Sequence, residues 1–175
     1  MFSKGNLFEK NRMIKTIKNG IIIDMFAGIG YFSIPIAVHS SPKKIYAIEL
    51  NELSYNYLCE NIKLNNVENI VIPILGNCKE KIIYNIADHV IMGYIKETSS
   101  YLKYGILSLK KTGGTLYYHD LSFINDYPLK QIYMIQKEAE KYNKEIIIKN
   151  SRIIKKYSPN MIHIVIDVYL KEKYI

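Results

Sequence analysis

The chain lacks any apolar run long enough to cross a membrane. Its apolar runs, such as Ile-Ile-Ile at 21–23 and His-Ile-Val-Ile at 163–166, have the length of strands, against the roughly 20 residues of a spanning helix. No signal peptide precedes them, which sets the expectation of a cytoplasmic protein. Cysteine is scarce: Cys59 and Cys78 stand alone, without the spacing of a metal-ligand set. Free thiols in a reducing compartment are expected, with neither disulfide nor metal. No internal repeat, low-complexity tract or Pro/Gly-rich linker divides the 175 residues, so one domain is expected over 1–175. Acids are outnumbered, sixteen against twenty-four Lys and Arg, leaving a formal net charge of +8. Such an excess attracts polyanions without specifying which.

The informative stretch is 21–33, Ile-Ile-Ile-Asp-Met-Phe-Ala-Gly-Ile-Gly-Tyr-Phe-Ser. An apolar strand ends near Asp24, Gly28 and Gly30 let the backbone turn tightly and approach a ligand, and Ser33 opens an apolar helix. Nineteen residues after Gly30, a second apolar strand ends in Glu49, where a carboxylate can take both hydroxyls of a ribose. A dinucleotide site of the Gly-X-Gly-X-X-Gly type needs a third glycine at position 33, and serine stands there. Without a diphosphate turn, the pattern favours an adenosine-like ligand free of pyrophosphate, a description that S-adenosylmethionine fits.

The apolar periodicity places helices near 9–18, 31–39, 52–65, 100–109 and 129–142. Leu53, Tyr57, Leu58 and Ile62 are read as one face of the third. Strands are expected at 20–24, 44–49, 70–75, 88–92 and 115–118, the last with His119-Asp120 at its carboxyl end. Two more, 144–157 and 163–171, are joined by the turn signal Ser158-Pro159-Asn160 and make an antiparallel hairpin. Five parallel strands and a closing hairpin give an α/β fold that resembles the class I methyltransferase type of Rossmann fold: a mostly parallel seven-stranded sheet with its ligand at the carboxyl ends of the strands.

Several motifs in one order carry a closer resemblance. They are Met1-Phe-Ser-Lys-Gly-Asn6 with Glu9, Lys10 and Arg12; Asp24 to Phe32; Ile48-Glu49-Leu50-Asn51; Gly76-Asn77-Cys78; Asp88 to Tyr94; and Tyr157-Ser158-Pro159 with His163 to Val168. Together they resemble the tRNA wybutosine-synthesis aminocarboxypropyltransferases, sisters of the tRNA guanine-N1 methyltransferases that act beside the anticodon. The methyltransferases carry an Asn-Leu-Pro type segment after the fourth strand and Phe-Ser-Pro-Arg upstream. Here those places read Met92-Gly93-Tyr94 and Phe2-Ser3-Lys4-Gly5, which favours the aminocarboxypropyltransferases.

The resemblance implies transfer of the 3-amino-3-carboxypropyl group of S-adenosylmethionine to the tricyclic 4-demethylwyosine of phenylalanine tRNA. It implies a reaction by positioning, with no dedicated catalytic base. Ser3 and Lys10 match positions that touch the cofactor, Lys10 as partner of the methionine carboxylate. Asp24, Phe26, Gly28, Gly30 and Glu49 line its central part, and Asn77 and Cys78 meet the adenine, with Asn77 where relatives often have Asp. Tyr94 and His119, with Tyr118, are candidates for contact with the target base. Arg12, Lys15, Arg152, Lys155 and Lys156 are candidates for phosphate contact. The family's amino-terminal RNA-binding domains are expected to be absent from this chain, residues 1–19 to contribute to the cofactor site, and the protein to be a monomer. The alternatives are a guanine-N1 methyltransferase and a non-catalytic cofactor-binding RNA module.

Overall fold

The computed structural model of the chain describes residues 4–95 and 97–173. It divides into two compact units, Met1–Ile83 and Tyr84–Ile175.

The first unit runs α1 (Lys4–Thr16), β1 (Ile21–Asp24), α2 (Ser33–His39), β2 (Lys44–Glu49), α3 (Glu52–Leu64), β3 (Val71–Leu75) and α4 (Cys78–Lys81). β1 and β2 pair in parallel, as do β2 and β3. Parallel strands are covered on both faces, and β1 and β2 accordingly bury Ile22, Ile23, Ile45, Ala47 and Ile48. α3 starts on Asn51, whose side chain accepts from the Ser54 amide at 2.9 Å. Its buried stripe is narrower than expected. Leu58 and Ile62, one turn apart, are buried, whereas Leu53 and Tyr57 lie off that stripe and are exposed.

The second unit holds β4 (His89–Met92), a 3-10 turn (Thr98–Tyr101), α5 (Leu102–Ser108), β5 (Gly114–Phe123), α6 (Leu129–Glu140), β6 (Lys144–Ser158) and β7 (Met161–Glu172). β4 and β5 are parallel, and β7 pairs antiparallel with both β5 and β6. The sheet order is β3-β2-β1-β4-β5-β7-β6, a mostly parallel seven-stranded sheet of the methyltransferase-like Rossmann type with an antiparallel hairpin last. Between two neighbours, β7 buries every residue from Ile162 to Val168.

Several boundaries differ from those read in the sequence, and three of the differences bear on the candidate site residues. The first helix covers Lys4–Thr16, where Arg12 grips the buried Glu9 through Nε at 2.9 Å and a second nitrogen at 2.5 Å. The second starts at Ser33, leaving Tyr31 in the turn before it. β5 does not stop at Tyr118 but continues to Phe123, so His119 and Asp120 are interior residues of the strand. The polarity of Asp120 is met locally: it accepts the Tyr118 hydroxyl and, at 2.8 Å, the Leu121 amide. No helix among the described residues is long and apolar enough to cross a membrane.

Candidate functional site

Asp24 closes β1 and is buried. One carboxylate oxygen accepts the Ser33 hydroxyl at 2.7 Å, and the other accepts the Phe26 amide at 3.4 Å. Burial pushes this carboxyl up to about 6; the two hydrogen bonds oppose the rise and the charge of Glu49 adds to it. Asp24 therefore ties the end of the strand to the start of α2, with the glycine turn strung between them.

Glu49 is held from two sides. Its Oε2 accepts the Gly28 amide at 2.7 Å and its Oε1 accepts the Asn51 amide at 2.8 Å. Its backbone carbonyl accepts the Gly76 amide at 2.8 Å, and the Ala27 amide reaches the Ile48 carbonyl at 2.9 Å. The loops after β1, β2 and β3 thus converge on one residue, the first two on its carboxylate and the third on its backbone. Each carboxylate oxygen carries one N–H and keeps acceptor capacity for a further donor, which suits a pair of vicinal hydroxyls.

The two glycines do different work. Gly28, at φ +57°, has nothing within 4 Å of where a Cβ would stand. Gly30, at φ +94°, has Ile34 Cδ1 at 2.5 Å and Leu58 Cδ1 at 3.0 Å from that point. Gly28 therefore faces open space beside Glu49, whereas Gly30 is packed from within. Asn61, through Nδ2 to the Ile29 carbonyl at 3.0 Å, pins the tip of the turn.

After β3, Asn77 caps α4 by accepting the Lys79 amide at 3.0 Å. Cys78 is buried, which pushes its thiol up to about 11. Lys10 lies on the outer flank of the glycine turn, its ammonium 5.6 Å from the Tyr31 ring centre. The two line an open depression of about 420 Å³ together with Gly28, Gly30, Ile34 and Asn61.

Residues 1–147 match the TRM5/TYW2 methyltransferase domain family. The chain belongs to that family. It is 43% identical over 168 residues to the tRNA(Phe) (4-demethylwyosine(37)-C(7)) aminocarboxypropyltransferase of Methanocaldococcus jannaschii, covering 95% of this chain and 67% of that one. It is 34% identical to the Pyrococcus horikoshii protein of the same name, covering 96% of this chain and 60% of that protein. The crystal structure of M. jannaschii TYW2 in complex with AdoMet superposes with a TM-score of 0.93 at 41% identity, covering 99% of this chain and 78% of that one.

In this TRM5/TYW2 domain, Asp24, Phe26, Gly28, Gly30 and Glu49 come together at the strand ends of the first unit, and Gly76 joins the loop carrying Asn77 and Cys78 to the backbone of Glu49. Lys10 flanks the turn, and Ser3 lies outside the described residues. Of the candidates for the target base, Tyr94 is 39% exposed and meets Tyr101 edge-on at 6.1 Å. His119 and Tyr118 are buried in the sheet. The His119 Nδ1 stands 3.3 Å from Nε2 of His163 on β7, a ring pairing in the interior rather than a surface for stacking. Burial, then the charge of Lys155, pushes His163 down to about 4. The sequence reading passed over Asn51, Asn61 and Ser33 as supports of the site. Asn51-Glu-Leu-Ser54 carried a visible capping signal; the partners of Asn61 and Ser33 exist only in the fold. No cluster able to hold a metal ion occurs among the described residues.

Proposed function

We propose that this chain transfers the 3-amino-3-carboxypropyl group of S-adenosylmethionine to the 4-demethylwyosine of phenylalanine tRNA. The observation that carries the choice of transferred group is the 43% identity, over 95% of this chain, to an aminocarboxypropyltransferase. Met92-Gly93-Tyr94 after β4 agrees with it, because no amide or carboxylate stands at Gly93 to bond an attacking nitrogen.

The residues present fit the donor. Glu49 is the anchor for the ribose hydroxyls: the Gly28 and Asn51 amides fix its orientation before any ligand arrives, so little order is lost on binding. The open space at Gly28 lets a ligand lie against the backbone. Phe26 walls the site, Gly30 shapes the turn, and Asn77 and Cys78 border the adenine. Asp24 holds the turn through Ser33 and Phe26. Lys10, with Ser3 of the same amino-terminal sequence segment, binds the methionine arm, the Lys10 ammonium against its carboxylate.

S-adenosylmethionine supplies a sulfonium with three carbons open to displacement. Which carbon reacts is decided by which one the chain presents in line, so catalysis is positioning of the arm. The ring carbon forms a carbon–carbon bond as the carbon–sulfur bond breaks, its proton passes to solvent, and methylthioadenosine leaves as a neutral thioether. Tyr94 is the exposed aromatic available to the base. In this reading residues 1–175 serve as one catalytic domain, a monomer that acts in the cytoplasm on the anticodon loop.

Mass spectrometry after incubation with S-adenosylmethionine and phenylalanine tRNA bearing the tricyclic precursor tests the reading. The expected result is methylthioadenosine with the matching mass gain on the RNA. S-adenosylhomocysteine with a methyl gain would make the chain a methyltransferase. Bound tRNA with neither product would make it a cofactor-binding RNA module.

A further inference from the structure

Between Ile146 and Ile166 the closing hairpin carries no acid but four strong bases, Lys149, Arg152, Lys155 and Lys156. In a regular strand a spacing of three would put Arg152 and Lys155 on opposite faces. The pairing with β7 reverses that expectation. Arg152 stands opposite Val165 and Lys155 opposite His163, two residues apart on β7 and so on one face; a register shift between Ile153 and Lys155 absorbs the extra residue. A second shift, between Lys156 and Ser158, brings Ser158 opposite Met161 on the same face.

β5 continues these rows. His119 pairs with Val165, Leu121 with His163 and Phe123 with Met161. Arg152, Lys155 and the half-exposed ring of Phe123 thus occupy one face within three consecutive rows. Lys156, opposite Ile162, stands on the other. That other face is the one α6 covers, for Ser122, also opposite Ile162, donates its hydroxyl to Gln131 at 3.3 Å.

The charge on the first face is not neutralised. Among the described residues no carboxylate pairs with Arg152 or Lys155, and the Arg152 Nε is buried without a hydrogen-bond partner. The rows end at the carboxyl end of β5, the edge at which open α/β sheets receive their ligands, beside a cavity of about 430 Å³ lined by Phe123, Ile124, Asn125, Asp126 and Asn160. Unpaired guanidinium and ammonium groups beside an exposed aromatic ring match the chemistry of a sugar–phosphate backbone with an unstacked base.

We propose that this face of the hairpin is an RNA-docking surface, with Arg152 and Lys155 on phosphates and Phe123 stacked on an unpaired base. It rests on the reading of the substrate as a tRNA. The test is binding of phenylalanine tRNA by fluorescence anisotropy across a salt series, with calorimetry of S-adenosylmethionine on every variant as the check that the fold persists. Arg152→Gln and Lys155→Gln should each weaken binding roughly 5-fold at about 0.15 M salt and flatten the slope of log K against log salt by about 0.9. Arg152→Lys, which keeps the charge, should restore the slope. Phe123→Ala should weaken binding and leave the slope unchanged. Lys156→Gln, the same charge change on the opposite face, should stay within about twofold of the wild type.

Equal losses for Lys156→Gln and Lys155→Gln would show that net charge alone matters and overturn the surface, leaving the tRNA substrate standing. Unchanged binding by Arg152→Gln and Lys155→Gln would do the same, and unchanged binding by Phe123→Ala would remove the stacked base. A wild type that binds S-adenosylmethionine and no tRNA overturns the substrate reading and this surface with it.

Discussion

Alanine at Gly28 and at Gly30 should fail in opposite ways. At Gly28, φ is +57°, inside the left-handed region, where a Cβ costs about 1–2 kcal/mol. Nothing lies within 4 Å of the new methyl, so no packing cost is added. For a chain of this size, 1 kcal/mol moves Tm by about 2–4 °C, giving a fall of roughly 2–8 °C. At Gly30, φ is +94° and the methyl would lie 2.5 Å from Ile34 Cδ1 and 2.8 Å from Ile34 Cγ1. Backbone strain of about 1–3 kcal/mol and overpacking of about 1–3 kcal/mol then combine to a fall of roughly 5–20 °C. Ligand binding should show the reverse ranking. In the proposed reading the adenosine lies against the space that the Gly28→Ala methyl fills, and an overlap of about 2 kcal/mol should weaken S-adenosylmethionine roughly 30-fold. The amide that Gly28 donates to Glu49 survives the change, so a loss of affinity belongs to the methyl. Differential scanning fluorimetry of the apo protein and isothermal calorimetry with S-adenosylmethionine read the two quantities separately. Wild-type affinity in Gly28→Ala, or a larger thermal loss there than in Gly30→Ala, would refute the reasoning.

Glu49→Ala should abolish detectable cofactor binding, since two hydrogen bonds from ribose hydroxyls to a carboxylate, at about 1.5–3 kcal/mol each, amount to a 100-fold loss or more; calorimetry that still detects tight binding removes the ribose from Glu49. Two buried groups should give opposing pH effects. Asp24, raised from 3.8 to about 6, holds its proton in the folded state, so stability falls by about 3 kcal/mol as pH rises through that window. His163, lowered from 6.5 to about 4, stays neutral when folded while the unfolded chain is protonated, so stability falls by about 3 kcal/mol as pH drops from 6.5 to 4. The two effects should therefore largely cancel across pH 4–6.5 in urea melts, leaving the wild type a shallow fall with rising pH from Asp120, whose carboxyl burial also raises. Asp24→Asn should expose a rising profile and His163→Gln a more steeply falling one, and a His163→Gln profile as shallow as the wild type contradicts the assignment.

The glycine turn and its carboxylate were legible because their signals are local. Ile-Ile-Ile-Asp24, two glycines and an acid at Glu49 occupy consecutive elements, and a parallel pair of strands brings their ends together wherever the intervening helix is short. Asn77 carries a further local signal, for Asn77-Cys-Lys-Glu80 is a helix-start pattern and its side chain caps α4. The end of β5 was misread because the partner that decides it is distant. His119 and Asp120 look like the polar close of a strand, yet His119 meets His163, 44 positions later, and a polar residue with so distant a partner cannot be told from a solvated one in sequence. The hairpin bases carried the same difficulty: the spacing of three from Arg152 to Lys155 gives the wrong face unless the bulge is known.

The bulges of β6 bear on how readily this edge of the sheet could pair with another chain. β6 ends the sheet order, and a fifteen-residue edge strand is a long template for pairing with another chain. Its regular pairing is cut into the runs 144–148, 150–153 and 155–156, so no uninterrupted ladder exceeds five residues. Lysine stands at or beside each break, at 149, 155 and 156. An incoming strand would have to copy the same irregular register and lie beside those charges. Removing one extra residue from β6 would lengthen the regular ladder, and edge-to-edge association, rather than loss of fold, is the defect such a deletion brings.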